Sequence, residues 1–304
     1  MTKTPLTARP GDPPAVHVRA RLDEQLRALL VHDPVAREGS DPEGVHQMRV
    51  TVRRLRAALK AEGASLGPAA DELQAEMKWL GGVLGPVRDL DVQLDHLRGL
   101  AADFEPAERD AVERLLLGLR AARRKARQRL LGALKSPRYT ALLEALAAAA
   151  RSEVPAGDEF PASRKARAGG LIELIKRPYR KLRRTASALD EDPPDDDLHA
   201  LRIQGKRLRY AAELAVPTGG KPVRKLIKAT KEFQDLLGDH QDAVVAEQEV
   251  RRLLTELEDP VPLDVGVAAG RLVERERTRR ADCRARWRDA LAAVDSNATK
   301  VLAG

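Results

Sequence analysis

The sequence predicts an all-α fold made of two copies of one helical unit, and three observations carry that expectation. Ala, Leu, Arg and Glu dominate the chain while β-branched runs are nearly absent, which suits helices and supplies no strand-like alternation. Apolar residues recur at three- and four-residue steps, as in Leu22, Leu26, Leu29 and Leu30, the spacing of one face of an amphipathic helix. An ungapped offset of 153 residues carries the first half onto the second.

The offset is the most informative of the three, because an internal repeat decides the architecture before any other feature. It takes His46 to His199, Arg49 to Arg202, and Arg54-Leu55-Arg56 to Arg207-Leu208-Arg209; Arg53 becomes Lys206 with its charge kept. Without a gap it also takes Lys78 to Lys231, Leu84-Gly85 to Leu237-Gly238, Asp89 to Asp242 and Val92 to Val245. Matches in Leu or Ala arise readily in such a chain; matches in His, Gly and Asp at one offset do not. Two copies are expected at 16–98 and 169–251, each followed by a long charged helical segment.

Periodicity and stop signals predict helices over 15–32, 43–62, 68–84, 88–101, 107–133 and 137–151. A Pro/Gly/acid stretch, SEVPAGDEFPAS, then breaks the pattern, and helices resume over 163–188, 196–214, 222–237, 240–257 and 264–294. The expected organisation is a disordered tail (1–14), a first bundle (15–151) and a second (163–294), forming one domain together. LGPVRDLDV (84–92) and LGDHQDAVV (237–245) read as a helix stop and restart. Gly85 and Gly238 are then left-handed C′ residues, with Asp89 and Asp242 in or near the next first turn.

Composition narrows the function. Lys and Arg number 54 against 46 acids, a net +8 with pI near 9.7, which favours a polyanionic partner. Only 3% aromatic residues count against a single-stranded nucleic-acid platform, which stacks bases on rings. The lone Cys283 excludes an internal disulfide and fits a reducing compartment. No apolar run approaches the roughly 20 residues that cross a bilayer, and the first residues lack a secretory core, so a cytoplasmic protein without a membrane partner is expected. There is no Gly-rich phosphate loop, no His/Cys metal spacing and no nucleophile–base pair. The expectation is therefore a binder rather than an enzyme, with neither cofactor nor metal. Asp89-x-Asp91 is a weak metal motif, and the second copy does not repeat it.

The repeated motif reads as an anion site. His46, Arg49, Arg53, Arg56 and Lys60 follow a 3-4-3-4 spacing, so they fall within about one quadrant of a helix. Met48, Val52, Leu55 and Leu59 form a separate apolar stripe, and the second copy repeats the pattern with His199, Arg202, Lys206 and Arg209 beside Leu201, Leu208 and Ala212. Like charges at these spacings repel, and no acid interrupts the chain between His46 and Ala61. An external phosphate would relieve the repulsion, since arginine's planar fork binds phosphate oxygens bidentately. Arg54 and Arg207 lie about 80° round the helix from the histidines; ligand contact and pairing with Asp89 or Asp242 both remain open. Arg88, Lys228, Lys231 and His240 are candidates to extend the basic surface. So is RAARRKARQR (120–129), whereas ERERTRRADCRARWR (274–288) reads mainly as a salt-bridged surface. The acidic DEDPPDDD (190–197) reads as the cap of the helix that carries His199.

VHQMRVTVRRLRAAL and LHALRIQGKRLRYAAE, with the LG-x-x-x-D segments after them and SPRYTALLEAL at 136–146, resemble the conserved histidine α-helical domain (CHAD) family. The resemblance covers all but the tail and the last residues. It implies two helical bundles related by a pseudo-two-fold axis, with a basic channel or groove binding inorganic polyphosphate. The implied ligand residues are His46, Arg49, Arg53, Arg54 and Arg56, with His199, Arg202, Lys206, Arg207 and Arg209. Two departures stand out: Glu213 replaces Lys60, and Val87 stands opposite His240. Many relatives also carry a triphosphate-cleaving β-barrel, for which the sequence offers no strands, so a stand-alone module near polyphosphate granules is expected. A polyphosphate-processing enzyme, or a nucleic-acid binder using the same groove, are the competing readings.

Overall fold

The computed structural model describes residues 4–8, 14–62, 69–151 and 168–303. All described elements are α-helices. In chain order they are α1 (Pro14–Glu38), α2 (Glu43–Glu62), α3 (Ala69–Leu100), α4 (Pro106–Leu115), α5 (Leu117–Leu134), α6 (Pro137–Arg151), α7 (Ala168–Ser187), α8 (Asp195–Leu214), α9 (Val216–Thr255) and α10 (Leu263–Ala303).

They form two compact units, Met1–Gly99 with Leu116–Asp158, and Leu100–Leu115 with Glu159–Gly304. The division differs from the expected one at α4, which the sequence joined to the following helix. Arg271 and Arg275 of α10 lie over the Phe104 ring at 4.0 and 4.6 Å, and Arg271 and Arg114 bridge Glu108 and Asp264, so this segment belongs with the second unit. The second unit also extends past the expected end at 294, to Ala303. The break expected at 152–163 lies outside the described residues. Part of the tail expected to be disordered is held: Leu6 packs against the first core and its N–H donates to Asp23 Oδ2 at 3.0 Å.

Each unit buries the stripe its periodicity announces. In the first, Leu22, Leu26 and Leu29 of α1 meet Met48, Val52, Leu55 and Leu59 of α2 and Met77, Leu80, Leu84 and Val87 of α3. In the second, Ile175 and Leu182 of α7 meet Leu201, Leu208 and Ala212 of α8, Phe233 and Leu237 of α9, and Trp287 and Val294 of α10. One pair of positions shows the copies compensating in volume. Val52 and Leu80 in the first become Gly205 and Phe233 in the second, and a Cβ on Gly205 would stand 3.2 Å from the Phe233 ring. The larger ring occupies the space that the missing side chain leaves, which keeps the interior close-packed.

The stops expected at Gly85 and Gly238 do not occur. Both lie inside continuous helices, α3 and α9, and among the described residues the glycines at positive φ are Gly39 and Gly220 instead. Pro86 removes one amide donor from α3, yet Pro86 and Gly82, four residues earlier, are both exposed, so water can satisfy the orphaned carbonyl. Leu80, Leu84, Val87, Leu94 and Leu97 stay buried on both sides of the proline, and this packing outweighs the local break signal. In α9 the interruption falls at Gly220, φ 52° and ψ −133°, with Pro222 opening the helix beyond it.

Candidate functional site

α2 and α8 are both 20 residues long and display the two expected stripes. In the first, His46 and Arg49 are half-buried while Arg53, Arg54 and Arg56 are exposed. The side chain of Lys60 lies outside the described residues. In the second, His199, Arg202, Lys206 and Arg209 are half-buried and Arg207 is exposed.

The two glycines lie beneath these stripes. A Cβ on Gly85 would stand 2.9 Å from Arg49 Nη1, and one on Gly238 would stand 3.1 Å from Arg202 Nη2. Glycine at both positions permits this close approach: each arginine lies across the neighbouring helix with its guanidinium against a bare Cα, and a methyl there would displace the guanidinium. The pairing of His-helix arginine with in-helix glycine recurs in both copies, and this coincidence at one offset was the signal in the sequence. Reading the glycine as a helix end hid it.

Charge compensation differs between the copies. Arg49 Nη1 stands 3.3 Å from Asp89 Oδ1, so the partner of Asp89 is Arg49 and not Arg54. Arg53, Arg54 and Arg56 make no ion pair among the described residues. In the second copy Arg207 donates to Gln204 Oε1 at 3.3 Å, and Arg209 Nη1 approaches Glu213 Oε1 at 3.7 Å while lying 5.2 Å over the Tyr210 ring. His199 Nδ1, Arg202 Nε and Arg209 Nε are buried with no hydrogen-bond partner among the described residues.

Of the further candidates, Arg88 is half-buried and Lys231 exposed, and Lys228 is an exposed lysine 3.9 Å from Glu232. His240 belongs elsewhere. It is 1% exposed, its Nε2 stands 3.1 Å from Asp195 Oδ1, and α10 covers it with Arg284 at 3.5 Å. A ligand arriving from solvent does not reach it. Burial pushes the His240 pKa down; Asp195 opposes that, and the Arg284 and Arg280 charges reinforce it.

The acidic run before His199 does not cap α8 with a side chain, since Pro194 is the N-cap and no side-chain cap hydrogen bond forms; the run complements the helix dipole and serves packing instead. Asp195, Asp196 and Asp197 occupy the first turn of α8, but Asp192 and Asp195 also hold Arg284, the latter at 2.7 Å. The charged face of α10 is salt-bridged as its pattern suggests, with partners inside the helix for Arg286 and on other segments for Arg277, Arg280 and Arg284. Arg277 Nε and Arg251 Nη2 each reach the buried Glu247 Oε1 at 3.0 Å, and Arg279 reaches Asp239 at 2.7 Å. In α5, Arg127 donates to the Ala36, Arg37 and Glu38 carbonyls at the end of α1, and Arg123 pairs with Asp91. Among the described residues no group of three or more His, Cys, Asp or Glu side chains could hold a metal ion. None of the described helices is long and apolar enough to cross a membrane.

A model of the CHAD domain matches residues 20–251. The chain belongs to the CHAD family. Two uncharacterized proteins of Mycobacterium tuberculosis, from strains CDC 1551 / Oshkosh and H37Rv, are 33% identical over 248 residues, which is 78% of this chain and 45% of each relative. This CHAD chain thus spans about half the length of the curated relatives it matches. Among solved structures, the CHAD domain from the plant Ricinus communis is similar at TM-score 0.64 and 30% identity, over 96% of both chains. PptA from Streptomyces chartreusis shares the fold at TM-score 0.59 and 22% identity, over 92% of this chain and 98% of that one.

Proposed function

We propose that this CHAD protein binds inorganic polyphosphate without transforming it, through the His46–Arg56 stripe of α2 and its counterpart on α8, and that it localises to or organises stored polyphosphate in the cytoplasm. The observation that carries this reading is a contrast in charge pairing. Arginines serving the fold find carboxylates or carbonyls, as do Arg123, Arg127, Arg277 and Arg284. Arg53, Arg54 and Arg56 lie exposed on one helix with no ion pair among the described residues. Three like-charged guanidinia so arranged repel one another, and a chain of phosphates would neutralise them with charge-assisted hydrogen bonds. Membership of the CHAD family supports the same ligand. The buried, unpartnered nitrogens of His199, Arg202 and Arg209 supply further donors in the second copy, where each would otherwise cost about 1–3 kcal/mol.

The test is a variant with His46, Arg49, His199 and Arg202 all changed to Ala. Polyphosphate affinity is expected to fall about a hundredfold or more, as the loss of several charge-assisted contacts dictates, with the helical circular dichroism signal intact. Unchanged affinity in a folded variant would remove these residues from the site.

A further inference from the structure

The two copies treat one cluster of arginines differently, and the difference exposes a second site. In the second copy, Glu247 is 8% exposed and gathers Arg251 and Arg277 at 3.0 Å and Arg280 at 3.7 Å. Subtracting the offset of 153 gives Arg98, Arg124 and Arg127 in the first copy, and the position of Glu247 becomes Leu94. The offset holds this far along the chain because the buried faces correspond: Leu119, Leu130 and Leu134 of α5 match Leu272, Cys283 and Trp287 of α10. The first copy therefore keeps arginines at these positions with a leucine in place of the carboxylate; Arg127 is turned to the α1 carbonyls, and Arg98 and Arg124 line the space that remains.

In its place is a cleft of about 500 Å³ within the first unit, lined by Arg98, Arg120, Arg123 and Arg124 together with Asp91 and Asp95. That volume lies in the range of small-molecule sites. Asp91 is 8% exposed; its Oδ1 takes the Arg123 guanidinium, while its Oδ2 is buried with no hydrogen-bond partner among the described residues. Asp91, Leu94, Asp95 and Arg98 lie on the face of α3 opposite Gly85 and Asp89, given about 100° per residue, so the cleft is separate from the α2 stripe. One side of its rim is set by Gly39, whose positive φ of 71° ends α1 and brings Ser40 and Pro42 to the opening.

We infer that this cleft binds a small phosphate monoester that also carries hydroxyls, of the sugar-phosphate or nucleotide class. The second copy shows what these arginines gather, an oxyanion held by several guanidinia at once, and phosphate offers the same bidentate geometry with greater charge. Asp91 Oδ2 requires a donor, which a sugar hydroxyl supplies and a bare anion such as sulfate does not.

The test is calorimetric titration of the whole protein with glucose 6-phosphate and with AMP, using orthophosphate and sulfate as comparison ligands. Leu94→Glu transplants the carboxylate of the second copy into the cleft; it is expected to weaken ester binding at least tenfold and leave polyphosphate affinity unchanged. The Ala variant of the two stripes is expected to show the reverse. Should Leu94→Glu not fold, Arg124→Ala, an exposed position, is expected to weaken ester binding about tenfold. Three results would each overturn the assignment: no ester binding at millimolar concentration, ester affinity equal in wild type and both cleft variants, or sulfate and orthophosphate binding as tightly as the esters.

Discussion

The two units carry the same basic motif and spend their acids differently. In the second, the acids are drawn into the fold: Asp195 holds His240, Arg280 and Arg284, Glu247 holds three arginines, and Glu213 stands beside Arg209 at the end of the stripe. In the first, Asp89 meets only Arg49 in the stripe, Leu94 replaces the central carboxylate, and Arg53, Arg54 and Arg56 are left to solvent. The second unit thus uses these acids for internal electrostatic cross-linking, whereas the first leaves Arg53, Arg54 and Arg56 without an ion pair among the described residues.

The largest effect that would sharpen this contrast is expected from Glu247→Leu, which makes the second copy like the first. It leaves Arg251, Arg277 and Arg280 around a carboxylate-free pocket, at a cost of about 2–3 kcal/mol, below the usual loss for a fully buried pair because the arginines are partly exposed. Chemical denaturation measures it, and a change within error would mean that Glu247 is not the keystone of the second unit. Next comes the volume exchange between the copies. Gly205→Val should destabilise by about 1–3 kcal/mol through overpacking against Phe233. Adding Phe233→Leu, which restores the first copy's pair, should recover much of that, a coupling readable in a double-mutant cycle. Additive losses would show that the two positions do not share one space.

A smaller effect separates the units by pH. Burial holds His240 below its ordinary pKa, so the unfolded chain takes up a proton near pH 6.5 that the folded chain refuses. Stability from this group is therefore present above about pH 6.5 and lost as pH falls towards the folded pKa. Glu247 titrates lower. Burial pushes its carboxyl up, but hydrogen bonds and charge from Arg251 and Arg277 outweigh that and hold it below the ordinary carboxylate range, so its contribution is lost only in stronger acid. His240→Gln is expected to flatten the loss between pH 7 and pH 5; an unaltered profile would assign that acid sensitivity to other groups. The smallest stability effect is expected from Gly85→Ala and Gly238→Ala. Helix propensity favours each by up to about 1 kcal/mol, while the new Cβ displaces Arg49 or Arg202. Stability should hold or rise slightly as polyphosphate affinity falls several-fold, and affinity that does not move would break the link between glycine and arginine.

Much of the fold was legible in local pattern. Helices α2, α6 and α8 fall within a residue of where periodicity and turn signals put them, because amphipathic spacing and flanking Pro, Gly and Ser agree there. Where the sequence misled, packing across the chain was stronger than the local signal. Gly85-Pro86 reads as a stop, but the apolar stripe from Leu80 to Leu97 continues through it, and the glycine answers to an arginine on another helix. His240 sits between Asp239 and Gln241 and reads as surface, yet α10, some 40 residues later, covers it. The cleft beside Leu94 was equally hidden, since its meaning lies in what the other copy has at that position. The basic stripes themselves were readable, as a missing salt-bridge ladder is a property of one helix alone.

The central claim is that the exposed arginines of the two stripes select a phosphate chain. It is tested most directly by calorimetric titration of the intact protein with polyphosphate of defined length at physiological salt, alongside an RNA oligomer of equal charge and orthophosphate. The account predicts binding to polyphosphate that weakens steeply as salt rises, with RNA much weaker and orthophosphate weaker still. Equal affinity for RNA and polyphosphate would contradict it and reduce the stripes to a general polyanion surface.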